Sequence, residues 1–305
     1  MLVEPGLRVI ALNTNFYDAW DPYAHLLRSR DDPGGQFAWL NETLANATRD
    51  GEKVYIAAHV APGIRSSSGR TRQKKKKKGK RHSRLLEDLD VVDCFNDRFN
   101  ELVQEYYPII AGQFYGHWHR DEFKVFRDDD GNPINVAWLT SSVTPYEWVN
   151  PSVRAYSFDD ASKNITDYRV YVMNLTQANL VGRMSWEFEY SPLSAYRNFT
   201  DMSPASWLAL ANNYLANPKN FPFYYNFHTA GCPLDTCTSK DCMLQMYCAA
   251  VRLLLFVCSL VCSFVLFMTP PLSDRDRRAQ VPGVLPFLRQ PDRSCRRIFS
   301  SAFLL

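Results

Sequence analysis

Ile109-Ile110-Ala111-Gly112-Gln113-Phe114-Tyr115-Gly116-His117-Trp118-His119-Arg120-Asp121 is the stretch on which the reading of this chain turns. Its first seven residues are a short apolar run preceded by Pro108, and they read as a strand. Two histidines follow at once, on either side of Trp118. Upstream, residues 53–58 (Lys-Val-Tyr-Ile-Ala-Ala) form a similar run with His59 directly after it, ahead of the turn Val60-Ala61-Pro62-Gly63. A third β-branched run covers residues 7–12. Between the first two runs in the chain, Phe37, Leu40, Leu44 and Ala47 recur at helical spacing within residues 36–47, and Asp50-Gly51 ends the pattern. Phe95, Phe99, Leu102, Val103 and Tyr106 repeat the same spacing within residues 93–106, where Pro108 stops it. The order is strand, helix, strand, helix, strand, an α/β class.

In α/β folds ligands collect beyond the carboxyl ends of the strands. Two neighbouring strands that each deliver histidine to that edge bring imidazoles within a few ångströms of each other. His-x-His in an extended or turn segment points its rings apart, so His117 and His119 serve either different metal ions or two edges of one site. Gly116 removes a side chain where backbone has to come close. A single histidine after a strand is more often a hydrogen-bonded surface or core residue than a ligand. The weight therefore rests on both sets standing at strand ends.

Beyond residue 121 the pattern changes. Residues 122–126 and 134–139 read as strands joined by the turn Asp128-Asp129-Asp130-Gly131-Asn132-Pro133, and 154–158 and 166–172 continue in that style. From Met184 the chain reads as helical and loop-rich up to a cysteine cluster. Cys232, Cys237, Cys242 and Cys248 lie within seventeen residues, and no Cys-x-x-Cys pair occurs anywhere in the 305, which argues against a zinc ribbon and for disulfides in an oxidising compartment. Asn41, Asn46, Asn164, Asn174 and Asn198 each open an Asn-x-Thr sequon, so five glycosylation signals point to the secretory route. After Met1 there is no basic start and no apolar stretch, so no signal peptide is read there. The expectation is a secretory body whose true N-terminus lies elsewhere.

At 46% apolar and 14% aromatic residues the chain can build a core and is not a disordered sequence. Its net charge of +3 comes from one run, because residues 70–84 hold ten Lys and Arg and no acid. That low-complexity segment, residues 66–83, has no interleaved aromatic side chain for base stacking, so it reads as a solvated insertion and no specific nucleic-acid binding is expected. Residues 253–268 carry no charge and span about 24 Å as a helix, short of the roughly 30 Å hydrocarbon core. With residues 249–252 added, 249–268 is a candidate transmembrane helix, and arginines follow it. A Pro- and Arg-rich tail, 269–305, closes the chain.

Several ordered motifs resemble the acid sphingomyelinase-like phosphodiesterases: Leu12-Asn13-Thr14-Asn15, Gln36-Phe37-Ala38-Trp39-Leu40, Val54 through Val60, Ile110 through Asp121, Val143-Thr144-Pro145 and Met173 through Asn179. The terminal cysteine cluster resembles that family's too, with a departure in spacing. The resemblance implies the C-terminal half of a calcineurin-like metallophosphoesterase β-sandwich flanked by helices, over residues 1–175, with a helical, cysteine-rich subdomain over 176–248. It implies two Zn²⁺ ions at one edge, with His59 and His117 on one and His119 on the other. It implies hydrolysis of a phosphodiester, lipid or nucleotide, by a secreted or lysosomal protein with membrane attachment in some members. The family also uses Asp-x-His, Gly-Asp and Asn-His motifs, and none of these occurs in the 305 residues. Catalytic residues are therefore not assigned within this chain, which is expected to be weakly active or inactive alone. The alternative is a non-catalytic, membrane-attached glycoprotein retaining part of a metal site. Asn13 and Asn15 read as site-edge or turn-capping residues, and Arg120 and Asp121 as partners of the histidines or a surface ion pair.

Overall fold

The structure is a computed structural model that describes residues 2–27, 31–66, 91, 93–146, 149–232 and 237–251. The basic run beyond Ser66, the candidate transmembrane stretch beyond Val251, the tail, and Cys258, Cys262 and Cys295 lie outside the described residues. Met1–Arg252 form one compact unit.

The chain opens with β1 (Leu2–Glu4) and β2 (Leu7–Leu12), an antiparallel pair. Helix α1 (Gln36–Arg49) follows because Phe37, Leu40, Leu44 and Ala47 fall on one face, and all four are buried. Burying a side chain the size of Phe or Leu contributes about 1.5–3 kcal/mol, so this stripe outweighs the modest propensity of a helix carrying Asn41, Thr43, Asn46 and Thr48. The Asp32 carboxylate accepts from the backbone N–H of Phe37 (2.9 Å) and Ala38 (3.0 Å), which satisfies two donors of the first turn. Gly51, at φ 69°, ends the helix. Strand β3 (Lys53–Ala58), helix α2 (Asp93–Tyr106) and strand β4 (Ile110–Tyr115) come next. β2, β3 and β4 pair in parallel, and Ile10, Val54, Ile56 and Ile110 meet Leu40, Leu44, Phe95 and Phe99 in one core under the two helices.

β5 (Glu122–Arg127) and β6 (Pro133–Leu139) form the hairpin read from the Asp-Gly-Asn-Pro turn, in which Asp128 accepts from Asn132 N at 2.7 Å and Gly131 takes φ 85°. β6 adds in parallel beside β4, giving a six-stranded mixed sheet in the order β1-β2-β3-β4-β6-β5. β7 (Ser152–Phe158) and β8 (Ile165–Val172) open a second, antiparallel sheet. Its rings meet the first sheet: Tyr156 lies 4.7 Å from Phe114 and 6.1 Å from Trp138, and Phe158 lies 6.4 Å from Tyr55.

The region read as a separate helical subdomain, 176–248, differs from that expectation. α3 (Leu175–Val181) is followed by a strand, β9 (Glu187–Tyr190), which pairs with β8 as the third strand of the second sheet. After the short α4 (Pro192–Ala195) come α5 (Pro204–Ala216), α6 (Phe221–His228) and α7 (Lys240–Val251). Trp207 of α5 is fully buried 4.5 Å from Phe123 of β5, so the helices share the core of the sheets and no boundary falls at residue 175. The physical reason is area: an aromatic set of Tyr196, Trp207, Tyr224 and Phe227 has no second layer of its own and buries itself against β5 and β9. Cys237 and Cys242 form a disulfide, while Cys232 and Cys248 are buried nearby in sequence.

Candidate active site

The carboxyl ends of β2, β3 and β4 stand side by side, and three loops leave from them. Thr14, just after β2, accepts from Val60 N through its hydroxyl at 2.7 Å, which ties the first loop to the second immediately after His59. His59 O accepts from Gly116 N at 3.1 Å, tying the second to the third. These two bonds set the backbone on either side of the imidazoles.

His59 Nε2 and His117 Nδ1 lie 3.2 Å apart, with the rings at 85° and centroids 5.0 Å apart. One ring nitrogen donates to the other, in the direction the tautomers set. Two imidazole nitrogens each about 2.0–2.1 Å from a tetrahedral ion stand roughly 3.3 Å apart. The pair therefore fits two positions on one ion. His117 has its pKa lowered, first by burial and then by His59, His119 and Lys124, against an opposing pull from Asp18. A neutral ring keeps its lone pair for coordination. His119 turns elsewhere: its Nδ1 is 3.4 Å from Tyr146 O and its ring 5.8 Å from that of Tyr146. Among the described residues no three His, Cys, Asp or Glu side chains gather closely enough to hold a metal ion. The structure thus brings His59 and His117 together and leaves His119 apart from them, on the same loop.

Both loop histidines adopt left-handed backbone, φ 74° at His117 and 56° at His119. That conformation costs an L-residue about 1–3 kcal/mol and gathers at functional sites, and no letter in the sequence announces it. Gly116, by contrast, is not sterically demanded, because a Cβ there would sit 3.8 Å from His59 Nδ1, an ordinary contact. The tight glycine is Gly112 in β4, where a Cβ would come 2.8 Å from Phe114 Cζ.

Beneath the loop lies a set of buried charges, and for Arg120 and Asp121 burial rules out the surface ion pair that was one of their two readings. Arg120 and Asp121 are both buried. Asp121 pairs with Arg154 of β7 at 2.5 Å and accepts from Tyr190 OH at 2.9 Å. Burial pushes the Asp121 carboxyl up, while the charge and hydrogen bond of Arg154 and the hydroxyl of Tyr190 act against it and favour the carboxylate beside a guanidinium that holds its proton. Glu122 bonds to Ser66 Oγ, and Lys124, fully buried, donates to Ile64 O at 2.8 Å. His228 of α6 lies 3.1 Å through Nδ1 from Asp121 O, and burial lowers its pKa to about 3. These bonds anchor the loop after β3 to β5 and the loop after β4 to α6. Asn13 caps the turn after β2, accepting from Asn15 N at 3.3 Å.

Of the sequon asparagines, Asn41, Asn164, Asn174 and Asn198 are exposed and Asn46 is half-buried on α1. Asn174 caps α3 by accepting from Gln177 N at 2.9 Å.

Residues 132–259 match the family described as the acid sphingomyelin phosphodiesterase C-terminal region. That match begins after the histidines. A cyclic GMP-AMP phosphodiesterase of Homo sapiens is 34% identical over 258 residues, 82% of this chain, and a stretch that long includes residues 59–119 wherever it starts. The chain is related to the acid sphingomyelinase-like phosphodiesterases. The relatives include acid sphingomyelinase-like phosphodiesterase 3b of Mus musculus, 34% identical over 79% of this chain, and sphingomyelin phosphodiesterase B of Dictyostelium discoideum, 31% identical over 81%. The chain spans about half the length of the first two, at 52% and 50%, and 36% of the third.

Proposed function

We propose that this chain carries part of a zinc-assisted phosphodiester hydrolase centre, with His59 and His117 as ligands of one ion and His119 as a ligand of a second. The observation that carries the reading is the 3.2 Å approach of His59 Nε2 and His117 Nδ1 at the tips of adjacent parallel strands, within sequence related to phosphodiesterases. A zinc ion bound there supplies Lewis-acid polarisation of a phosphoryl group. The chain's own part is to hold the imidazoles: Thr14 and Gly116 clamp the backbone around His59, and burial favours the neutral form of His117. Ring contacts between the two sheets support a metallophosphoesterase sandwich. The exposed sequons and the Cys237–Cys242 disulfide support passage through an oxidising, secretory or lysosomal compartment.

No carboxylate joins the two histidine sets among the described residues. That favours a second reading in which the chain alone binds one ion and hydrolyses weakly or not at all, as a glycoprotein with part of the site. Calorimetric zinc titration and hydrolysis of bis(nitrophenyl) phosphate separate these outcomes. Zinc binding and hydrolysis that both fall in His117→Ala support the first reading. Zinc binding without hydrolysis supports the second, and no zinc binding overturns both. Replacing one direct ligand is expected to weaken zinc by more than the about 10–100-fold that outer-shell changes cost.

A further inference from the structure

Residues 180–188 are nine consecutive exposed positions, and five of them are large and apolar: Leu180, Val181, Met184, Trp186 and Phe188. They run from the end of α3 into β9, which pairs with β8 alone and so forms an edge of the second sheet. Within that stretch Arg183-Met184-Ser185-Trp186-Glu187-Phe188 alternates polar and apolar, the period of a strand with one dry face. The ladder to β8 begins only at Glu187, opposite Val172, which is the last residue of β8. Residues 183–186 therefore overhang the sheet with the patterning of a strand. Among the described residues no hydrogen bond holds the backbone of 183–186, and neither Arg183 nor Glu187 has an ionic partner. Met184 is 72% exposed, Trp186 42% and Phe188 54%. The Phe188 ring lies 6.0 Å from that of Tyr171 on β8, so the apolar row continues onto the sheet.

An exposed apolar row beside open backbone groups is a docking surface, and its chemistry narrows the occupant. A bilayer cannot satisfy unpaired N–H and C=O groups, and one arginine against one glutamate gives no net attraction to an anionic leaflet. A second copy of the same stretch answers both. Run antiparallel about a two-fold axis at Ser185, the two overhangs set each Arg183 opposite the other copy's Glu187, on one face. Each Met184 then stands opposite the other copy's Trp186 on the second face, and the backbone groups of one overhang pair with those of its twin. No other antiparallel register opposes the two charges. We propose that residues 183–187 form a homodimer interface, in which the β9 edges of two copies join antiparallel about Ser185 and the two second sheets become one. This inference stands apart from the hydrolase reading.

Sedimentation velocity of the full chain and its variants tests the interface. The parent is expected to form a concentration-dependent dimer. Arg183→Glu and Glu187→Arg each set two like-charge contacts across the axis and are expected to weaken the dimer at least about tenfold. The double variant Arg183→Glu/Glu187→Arg reverses both charges and restores two opposite-sign pairs, so it is expected to dimerise within about threefold of the parent. Met184→Asp, on the apolar face, is expected to leave a monomer. All three positions are exposed, so circular dichroism is expected to stay unchanged in every variant. Three results overturn the interface: a parent that stays monomeric at its highest soluble concentration, an oligomer indifferent to the variants, or a double variant as weak as the single ones. Flotation with phosphatidylcholine–phosphatidylserine vesicles addresses the other occupant. A monomer that vesicles capture, and release in Met184→Asp, makes a lipid surface the partner and overturns the dimer.

Discussion

Replacing Asp121 by alanine removes the carboxylate from a pair whose side chains are 6% and 1% exposed. Arg154 then keeps its charge, its Nη2 donating to Leu139 O at 3.3 Å and its guanidinium 4.0 Å over the Tyr168 ring, and Glu189, a buried carboxyl that acts on it, has its own pKa pushed up to about 9, first by burial. Tyr190 OH loses an acceptor as well, while its 3.1 Å contact with Tyr168 OH remains. Breaking a buried ion pair from one side costs about 3–5 kcal/mol, because the cost is the stranded charge more than the lost attraction. Against a total stability of about 5–15 kcal/mol this is a large share. At about 2–4 °C per kcal/mol for a unit of this size, it corresponds to a fall of roughly 6–20 °C in Tm. Urea unfolding of Asp121→Ala is the assay, and the midpoint is expected to fall with an unchanged slope. The double variant Asp121→Leu/Arg154→Met removes the stranded charge and is expected to recover at least half of the loss. A single variant costing less than about 1 kcal/mol, the range of exposed ion pairs, would refute the claim that this charge pair is sealed from water.

Two further expectations follow from the same geometry. Gly112→Ala forces a Cβ into Phe114, whose ring is held between Tyr55, Trp138 and Tyr156, so it is expected to cost about 1–3 kcal/mol by chemical denaturation, while Gly116→Ala stays within about 0.5 kcal/mol. His228 is buried neutral with a pKa of about 3 against an ordinary 6.5, so between those values the unfolded chain binds the extra proton. Its contribution is full above pH 6.5 and drains as pH falls toward 3, at up to about 1.4 kcal/mol per unit. His228→Phe is expected to flatten that part of the stability–pH curve, and an unchanged slope refutes it.

The sequence by itself determined the strand and helix order from β2 to β8, because period-2 and period-3.6 patterns of burial are written in the residues, while the three-residue β1 is too short to carry one. It also placed His59, His117 and His119 at strand ends, since the position of a residue after a strand is a local fact. What it left undecided was non-local. Strand β9 is four residues long, with exposed Glu187 and Phe188, so its pattern names no face until β8 supplies a partner. Arg120 and Asp121 read as partners of the histidines or as a surface ion pair, and neither reading names Arg154, because that partner of Asp121 lies far along the chain in β7. The positive φ of the two loop histidines and the parting of His119 from the close pair were both decided by the tertiary structure. Each depends on where three strand ends lie beside one another, and only the register of β2, β3 and β4 sets that.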